Sequence, residues 1–225
     1  MRTNDLQEYL AETEFFRFSD PKIAQFITKT VRECTTPTEK AVALYYAVRD
    51  GWRYNPYRIS FRTSDWLAPR IFDRPDGHCQ DKALLLVTFA RACGIPARMH
   101  LVKVKNHIAV EVLTEKFGTN VLTPHGFAEL YLNGKWIKAT PAFNQELCAR
   151  LGVSPLEFDG KTDSVFQEYD PQGGTFMEYL DDYGTFADVP LKFMQHNMEE
   201  HYPQLKDMVD EDGVLRIQKK YSNGR

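Results

Sequence analysis

Cysteine is scarce in this chain: four residues, at 34, 79, 93 and 148, with no Cys-x-x-Cys pair among them. That scarcity argues against a disulfide framework and fits a reducing, cytoplasmic setting. Long apolar runs are absent as well. No stretch reaches 18 consecutive apolar residues, so no membrane span is expected. The opening Met1-Arg2-Thr3-Asn4-Asp5 has no apolar segment behind a basic start, so no secretory signal is expected. Neither sign of charge is in excess: 28 Lys and Arg against 31 Asp and Glu leave −3. A nucleic-acid surface would need a basic surplus, so that partner class is set aside. Repeats and low-complexity segments are missing too. What remains is 225 residues, 43% hydrophobic, enough for one domain with a sizeable core.

Asp20-Pro21 reads as a helix start, with a carboxylate cap and proline at the first helical position. Ile23, Phe26, Ile27 and Val31 supply its apolar face. Thr36-Pro37-Thr38-Glu39 is a capping box, and Gly51 ends the helix it opens. Residues 52–76, rich in aromatics, Pro and Arg, read as a loop. A helix apolar nearly all round follows, from Cys79 to about Cys93, with Gly94 and Pro96 beyond it. The period then changes. Met99–Val104, Ile108–Leu113, Ala128–Leu132 and Lys135–Ala139 read as strands, and Asn133-Gly134 reads as a two-residue hairpin turn. Residues 145–190 carry the turn formers Asp159-Gly160, Asp170-Pro171, Gly173-Gly174 and Gly184. A last helix is expected from Pro190 to about His201, and a charged tail follows Pro203. Helices followed by an antiparallel sheet give an α+β fold class.

Cys79 lies in Asp76-Gly77-His78-Cys79-Gln80-Asp81-Lys82-Ala83, at the first turn of the apolar helix. A helix N-terminus offers unpaired N–H groups and the positive end of the macrodipole. Both favour thiolate, the nucleophilic form, so Cys79 is expected to ionise easily. Cys34, Cys93 and Cys148 lie within or beside apolar helix patterns and are read as structural. A thiol nucleophile needs an imidazole in reach and a third group to hold it. Six histidines, at 78, 100, 107, 125, 196 and 201, are candidates, and spacing alone does not choose. Both His107 and His125 are followed four residues later by glutamate.

Two blocks carry a resemblance. Gly77-x-Cys79-x-Asp81-Lys82-Ala83 with Gly94-Ile95-Pro96-Ala97-Arg98 is the first, and His125-Gly126-Phe127-Ala128-Glu129-Leu130-Tyr131-Leu132-Asn133-Gly134-Lys135-Trp136 is the second. In this order they resemble the transglutaminase-like superfamily, over roughly residues 36–144. The resemblance implies a papain-like core with helices packed on an antiparallel sheet. A helical segment, 1–35, would precede the core, and an extension, 145–225, would follow it. It implies Cys79 as nucleophile and His125 as base. The family's aspartate falls on Thr140, in Trp136-Ile137-Lys138-Ala139-Thr140-Pro141. A hydroxyl can accept from imidazole but brings no charge. Asn144 is a second candidate for the third position, and Asp159 a more remote one. The implied activity is a thiol-dependent amide hydrolase or acyltransferase acting on a peptide or protein amide, with no cofactor. A single domain without a calcium loop points to hydrolysis. The missing aspartate leaves a catalytically inactive binding or scaffolding module as the alternative.

The loop before Cys79 offers Trp52, Tyr54, Tyr57 and Trp66. Core packing is the bland role for them. One could instead donate to the oxyanion, and Trp66 is the candidate named for it. Arg53, Arg58, Arg62, Arg70 and Arg74 suggest a preference for carboxylate-bearing substrates. Weaker patterns fall away. Gly160-Lys161-Thr162 ends like a phosphate loop, but Pro155 stands where its first glycine belongs. Asp159 to Glu168 has the wrong glycine for a calcium loop. His196 and His201 are five apart, poor spacing for a shared metal. Residues 153–190 are expected to cap the active-site cleft.

Overall fold

Local chemistry sets the first elements where the chain places its caps. In the computed structural model, which describes residues 3–108, 110–166, 177–208 and 214–216, a 3-10 helix at Thr3–Tyr9 precedes α1, Pro21–Thr30. Asp20 Oδ1 accepts from the N–H groups of Lys22 and Ile23 at 3.0 and 3.3 Å. α2, Pro37–Gly51, opens on the capping box: Glu39 N–H donates to Thr36 Oγ1, and Thr36 N–H to the Glu39 carboxylate. Its buried face is Ala41, Leu44, Tyr45 and Val48. The aromatic stretch taken for a loop holds short elements: β1, Arg53–Tyr54; β2, Arg58–Ser60; α3, Ala68–Phe72; and β3, Asp76–Gly77. β1 and β3 pair in parallel. α4, Cys79–Ala92, then runs through the middle of the molecule with its thirteen residues from Cys79 to Arg91 buried.

The sheet follows: β4, Ala97–Asn106; after α5, Val110–Phe117, come β5, Val121–Leu132, and β6, Lys135–Ala139. After α6, Gln145–Leu151, come β7, Met177–Phe186, α7, Leu191–His201, and β8, Val214–Arg216. The order in the sheet is β6-β5-β4-β7, antiparallel throughout. β8 pairs separately with β2. α4 lies against β4 and β5 and is covered on its other side by α1, α2 and α3. The main core joins Leu84, Leu85 and Phe89 of α4 to Met99, Leu101, Ala128 and Leu130 of the sheet. Asn133 and Gly134, at φ 52° and 83°, turn the β5–β6 hairpin, a pair of positive angles that explains this dipeptide.

Three expectations need correction. Ile108–Leu113 does not form a strand: Val110–Phe117 is helical, and Leu113 and Phe117, i and i+4, bury one side of it. The β-branched residues there mimicked a strand, but the burial period is that of a helix. β5 begins seven residues earlier than Ala128, so His125 stands well inside a strand. The turn-rich 145–190 region holds α6 and β7. β7 went unseen because it is an edge strand, with Glu178, Asp181 and Asp182 facing out rather than an apolar alternation. The turns at Asp170-Pro171 and Gly173-Gly174, Glu168 and the charged end of the tail lie outside the described residues. No helix among the described residues is long and apolar enough to cross a membrane.

Candidate active site

Cys79 is the first residue of α4 and is 8% exposed. His78 caps the helix: its Nδ1 accepts from Asp81 N–H at 3.1 Å, and Asp81 Oδ2 accepts from His78 N–H at 3.2 Å. The first turn is docked onto β5. Gln80 Nε2 donates to Pro124 O at 2.6 Å. A Cβ at Gly126 would fall 2.8 Å from Gln80 Cγ, so glycine there allows the helix to approach. Burial pushes the Cys79 thiol up to about 11, against the downward pull of the Gly126 and Gln80 backbone N–H groups. The expectation of an easily formed thiolate is therefore reversed. The helix terminus acts in the foreseen direction, but desolvation of the anion outweighs it.

His125 pairs with Val102 across β5 and β4 and is 2% exposed. Its ring lies 6.0 Å from that of Phe166. Phe166 packs in one cluster with Cys79, Val102, Phe127 and Phe143, so it neighbours both the imidazole and the cluster that holds the thiol. Among the described residues neither His125 ring nitrogen has a hydrogen-bond partner. No hydrogen bond therefore joins the ring to Cys79. Burial, with a smaller contribution from His78, pulls the imidazole down to about 4. The resting pair is thus a neutral thiol and a neutral imidazole.

Thr140 is 1% exposed, and its Oγ1 is also without a partner among the described residues. Its backbone is fixed: N–H donates to Ser164 O at 2.9 Å, and O accepts from Tyr45 Oη at 3.1 Å. Ala139 faces Ala128 in the β6–β5 ladder. Continued by one residue, that register sets Thr140 beside Phe127, diagonal to His125 on the same face, roughly 7–8 Å apart in Cα terms. Among the described residues, three of the four buried, unpartnered side-chain polar atoms are thus on His125 and Thr140; the fourth is Trp136 Nε1. Each such atom costs about 1–3 kcal/mol.

The other candidates are engaged elsewhere. Asn144 Oδ1 accepts from Tyr54 N–H at 3.0 Å, so it anchors the aromatic stretch. The Asp159 carboxylate closes its own turn on the N–H groups of Lys161 and Thr162, both at 2.8 Å, and is not a third group. Trp66 is corrected as an oxyanion donor: its Nε1–H donates to Ser60 O at 2.9 Å and its ring packs on His78. Of the four aromatics named in that stretch, Tyr54 lines the cleft beside Cys79, and its hydroxyl is pushed well above the ordinary range, first by burial and then by the nearby thiol. Two of the arginines in this stretch are engaged with carboxylates of the chain itself. Arg58 pairs with Asp76 at 3.1 Å, and Arg74 lies near Asp65 and Asp81 at 3.6 and 3.7 Å. His100 and His107 face carboxylates, and His201 faces Lys103 and Asn197 O.

Residues 24–141 match the transglutaminase-like superfamily. The chain belongs to that superfamily. A cysteine-protease candidate from Cytophaga hutchinsonii has a similar structure, with TM-score 0.52 and 16% identity over 86% of this chain and 50% of that one. The chain thus spans half the length of that neighbour. A protease candidate from Parabacteroides distasonis matches at TM-score 0.38 and 15% identity, over 60% of this chain and 25% of that one. A search of curated proteins found no match. The α+β architecture is therefore that of the transglutaminase-like, papain-like fold. The match ends just after Thr140, so α6, β7 and α7 lie outside it.

One residue of this transglutaminase-like chain escaped sequence reasoning. Lys82, one turn after Cys79, is fully buried, and its Nζ donates to Arg49 O, Trp52 O and Ala142 O at 2.8, 2.8 and 2.7 Å. It ties the end of α2 and the Thr140–Asn144 segment to the start of α4. Burial pulls its ammonium down to about 7. Three carbonyl acceptors oppose that pull, because only the ammonium has three N–H groups to give them. A lysine inside an otherwise apolar helix was the signal available in the sequence.

Proposed function

We propose that the protein is a thiol-dependent amide hydrolase, a cysteine peptidase by chemistry. Cys79 is the nucleophile, His125 the base, and Thr140 the group that orients the ring. The observation that carries this reading is the cluster of buried, unpartnered polar atoms on His125 and Thr140, set beside the Cys79 turn. Such atoms are retained at a cost to folding, and catalysis is one reason to retain them. The Cys79 sulfur bonds to the carbonyl carbon while its proton passes to a His125 ring nitrogen. The C–N bond breaks, and the same proton goes to the leaving amine. Water then attacks the thioester while His125 takes its proton; the C–S bond breaks, the acid leaves, and the proton returns to the Cys79 sulfur. Tyr54, which lines the cleft beside Cys79, takes the oxyanion-donor role first assigned to Trp66. Because the resting pair is neutral, attack and proton transfer are coupled rather than sequential.

The test is hydrolysis of fluorogenic peptides by the wild type, Cys79→Ala and His125→Ala. Each variant is expected to lose about 10³-fold or more. More than a tenth of wild-type activity surviving in either would overturn the assignment. A second reading, a non-catalytic module that kept the fold, is favoured by the raised Cys79 thiol and the neutral third residue. Mass-spectrometric alkylation at Cys79 separates the two. A competent pair alkylates in the native state at pH 7 faster than Cys148 does; an inert one alkylates only after unfolding.

A further inference from the structure

The cleft over Cys79 has a wall to which residues beyond the superfamily match contribute. Met198 of α7 and Tyr202 just beyond it close one side, and Ile59 of β2, Phe117 of α5 and Leu122 of β5 complete it. No Asp, Glu, Lys or Arg lines this cleft among the described residues. Two polar tips at the cleft, Tyr202 of the extension and Thr123 of β5, are committed. Tyr202 Oη donates to Val121 O at 2.7 Å and accepts from Thr123 N–H at 2.8 Å. Thr123 Oγ1 donates to Asn197 Oδ1 at 2.8 Å and meets Tyr183 Oη at 2.8 Å. The wall is therefore fixed to the strand that carries His125, two residues upstream of it. The same side chains are packed with Leu113 and Leu205 in a satellite core, which holds Phe117, Met198 and Tyr202 in place.

A charged side chain brought there would lose its water and find no counter-charge, whereas an apolar one gains contact. We infer that this pocket selects amides whose side chain beside the scissile carbonyl is apolar, and that Met198 is a specificity-determining residue contributed by the C-terminal extension. This rests on the peptidase reading of Cys79. It replaces the carboxylate preference read from the arginines, and it gives the extension a defined role at the cleft.

The experiment uses the full chain and N-acetyl-aminoacyl chloromethyl ketones carrying Leu, Phe, Asp or Lys. In each, the Cys79 sulfur displaces chloride at the methylene carbon, a thioether forms, and the thiol proton leaves through His125. Labelling of Cys79 is followed by peptide mass spectrometry. Leu and Phe reagents are expected to label at least about tenfold faster than Asp and Lys reagents. Equal rates, or faster labelling by a charged reagent, would overturn the inference while leaving the peptidase reading intact. Cys79 left unlabelled by all four, under conditions where papain is labelled, would sink both. Met198→Glu is expected to raise the Lys-to-Leu rate ratio about tenfold. Ile59→Glu gives the same reading should the α7 variant fold poorly. An unchanged ratio in the folded variants would also overturn the assignment of selectivity to this wall.

Discussion

His100 and His125 stand on adjacent strands of one sheet, 4% and 2% exposed, yet their surroundings are opposites. Both ring nitrogens of His100 meet carboxylate oxygens at 2.7 Å, Glu129 on one side and Asp182 on the other, and Arg98 braces Glu129 at 2.7 Å. His125 has no partner at either nitrogen among the described residues. The nearby Lys82 resembles His100: it is buried, and each of its N–H groups is matched by a carbonyl. A buried polar group with its partners in place is a structural element, and its loss is felt in folding. A buried polar group without them contributes little to folding, and its retention points to chemistry. The contrast separates the scaffold of this candidate site from the part proposed to react.

The largest test concerns the satisfied group. Lys82→Met strands three buried carbonyls and is expected to cost about 3–5 kcal/mol in urea denaturation. A cost below about 1 kcal/mol would mean the three bonds are not a structural strut. Acid sensitivity tests His125 next. Its folded value, about 4, lies below the ordinary 6.5. Between those values the unfolded chain binds the extra proton, so stability falls as pH drops through that window, by up to about 3 kcal/mol. Above pH 6.5 this contribution is constant. His125→Phe should remove that part of the acid slope, measured as the urea midpoint at pH 7 and pH 4.5. Identical slopes in the two proteins would contradict the buried, neutral imidazole.

Exchanging the two histidines for the same residue sharpens the comparison directly. At pH 7, His100→Phe is expected to destabilise by about 2 kcal/mol, because Glu129 loses a buried partner. His125→Phe should leave stability unchanged or raise it, because it removes two buried atoms that have no partner among the described residues. Similar losses at both positions would erase the distinction. The smallest effect expected is from Thr140→Asp. A carboxylate beside His125 raises the imidazole toward its ordinary value and stabilises imidazolium, and Cys79 alkylation at pH 7 should quicken about tenfold. No change, with the fold intact, would remove Thr140 from the orienting position.

The scaffold was legible in the sequence wherever local chemistry decides structure. The Asp20 cap, the Thr36–Glu39 box, the Asn133-Gly134 turn and the all-round apolar α4 each announce themselves within a few residues. β7 and α5 did not. An edge strand with a solvent face has no apolar alternation, and a short helix of β-branched residues imitates a strand. The candidate site divides the same way. Cys79 and His125 were nominated through motif blocks; Lys82 stood in the first block but its three carbonyl partners come from distant segments, and Tyr54 and Met198 reach the cleft from segments far apart in the chain.

By itself the sequence determined which residues could react: a thiol opening a buried helix, a histidine on a hairpin strand, and threonine where the superfamily places aspartate. Only the tertiary structure decided the state in which they rest. Desolvation is a property of everything packed around a group, not of its neighbours in the chain. For that reason the helix terminus at Cys79, which alone would favour thiolate, is overruled by the core that surrounds it.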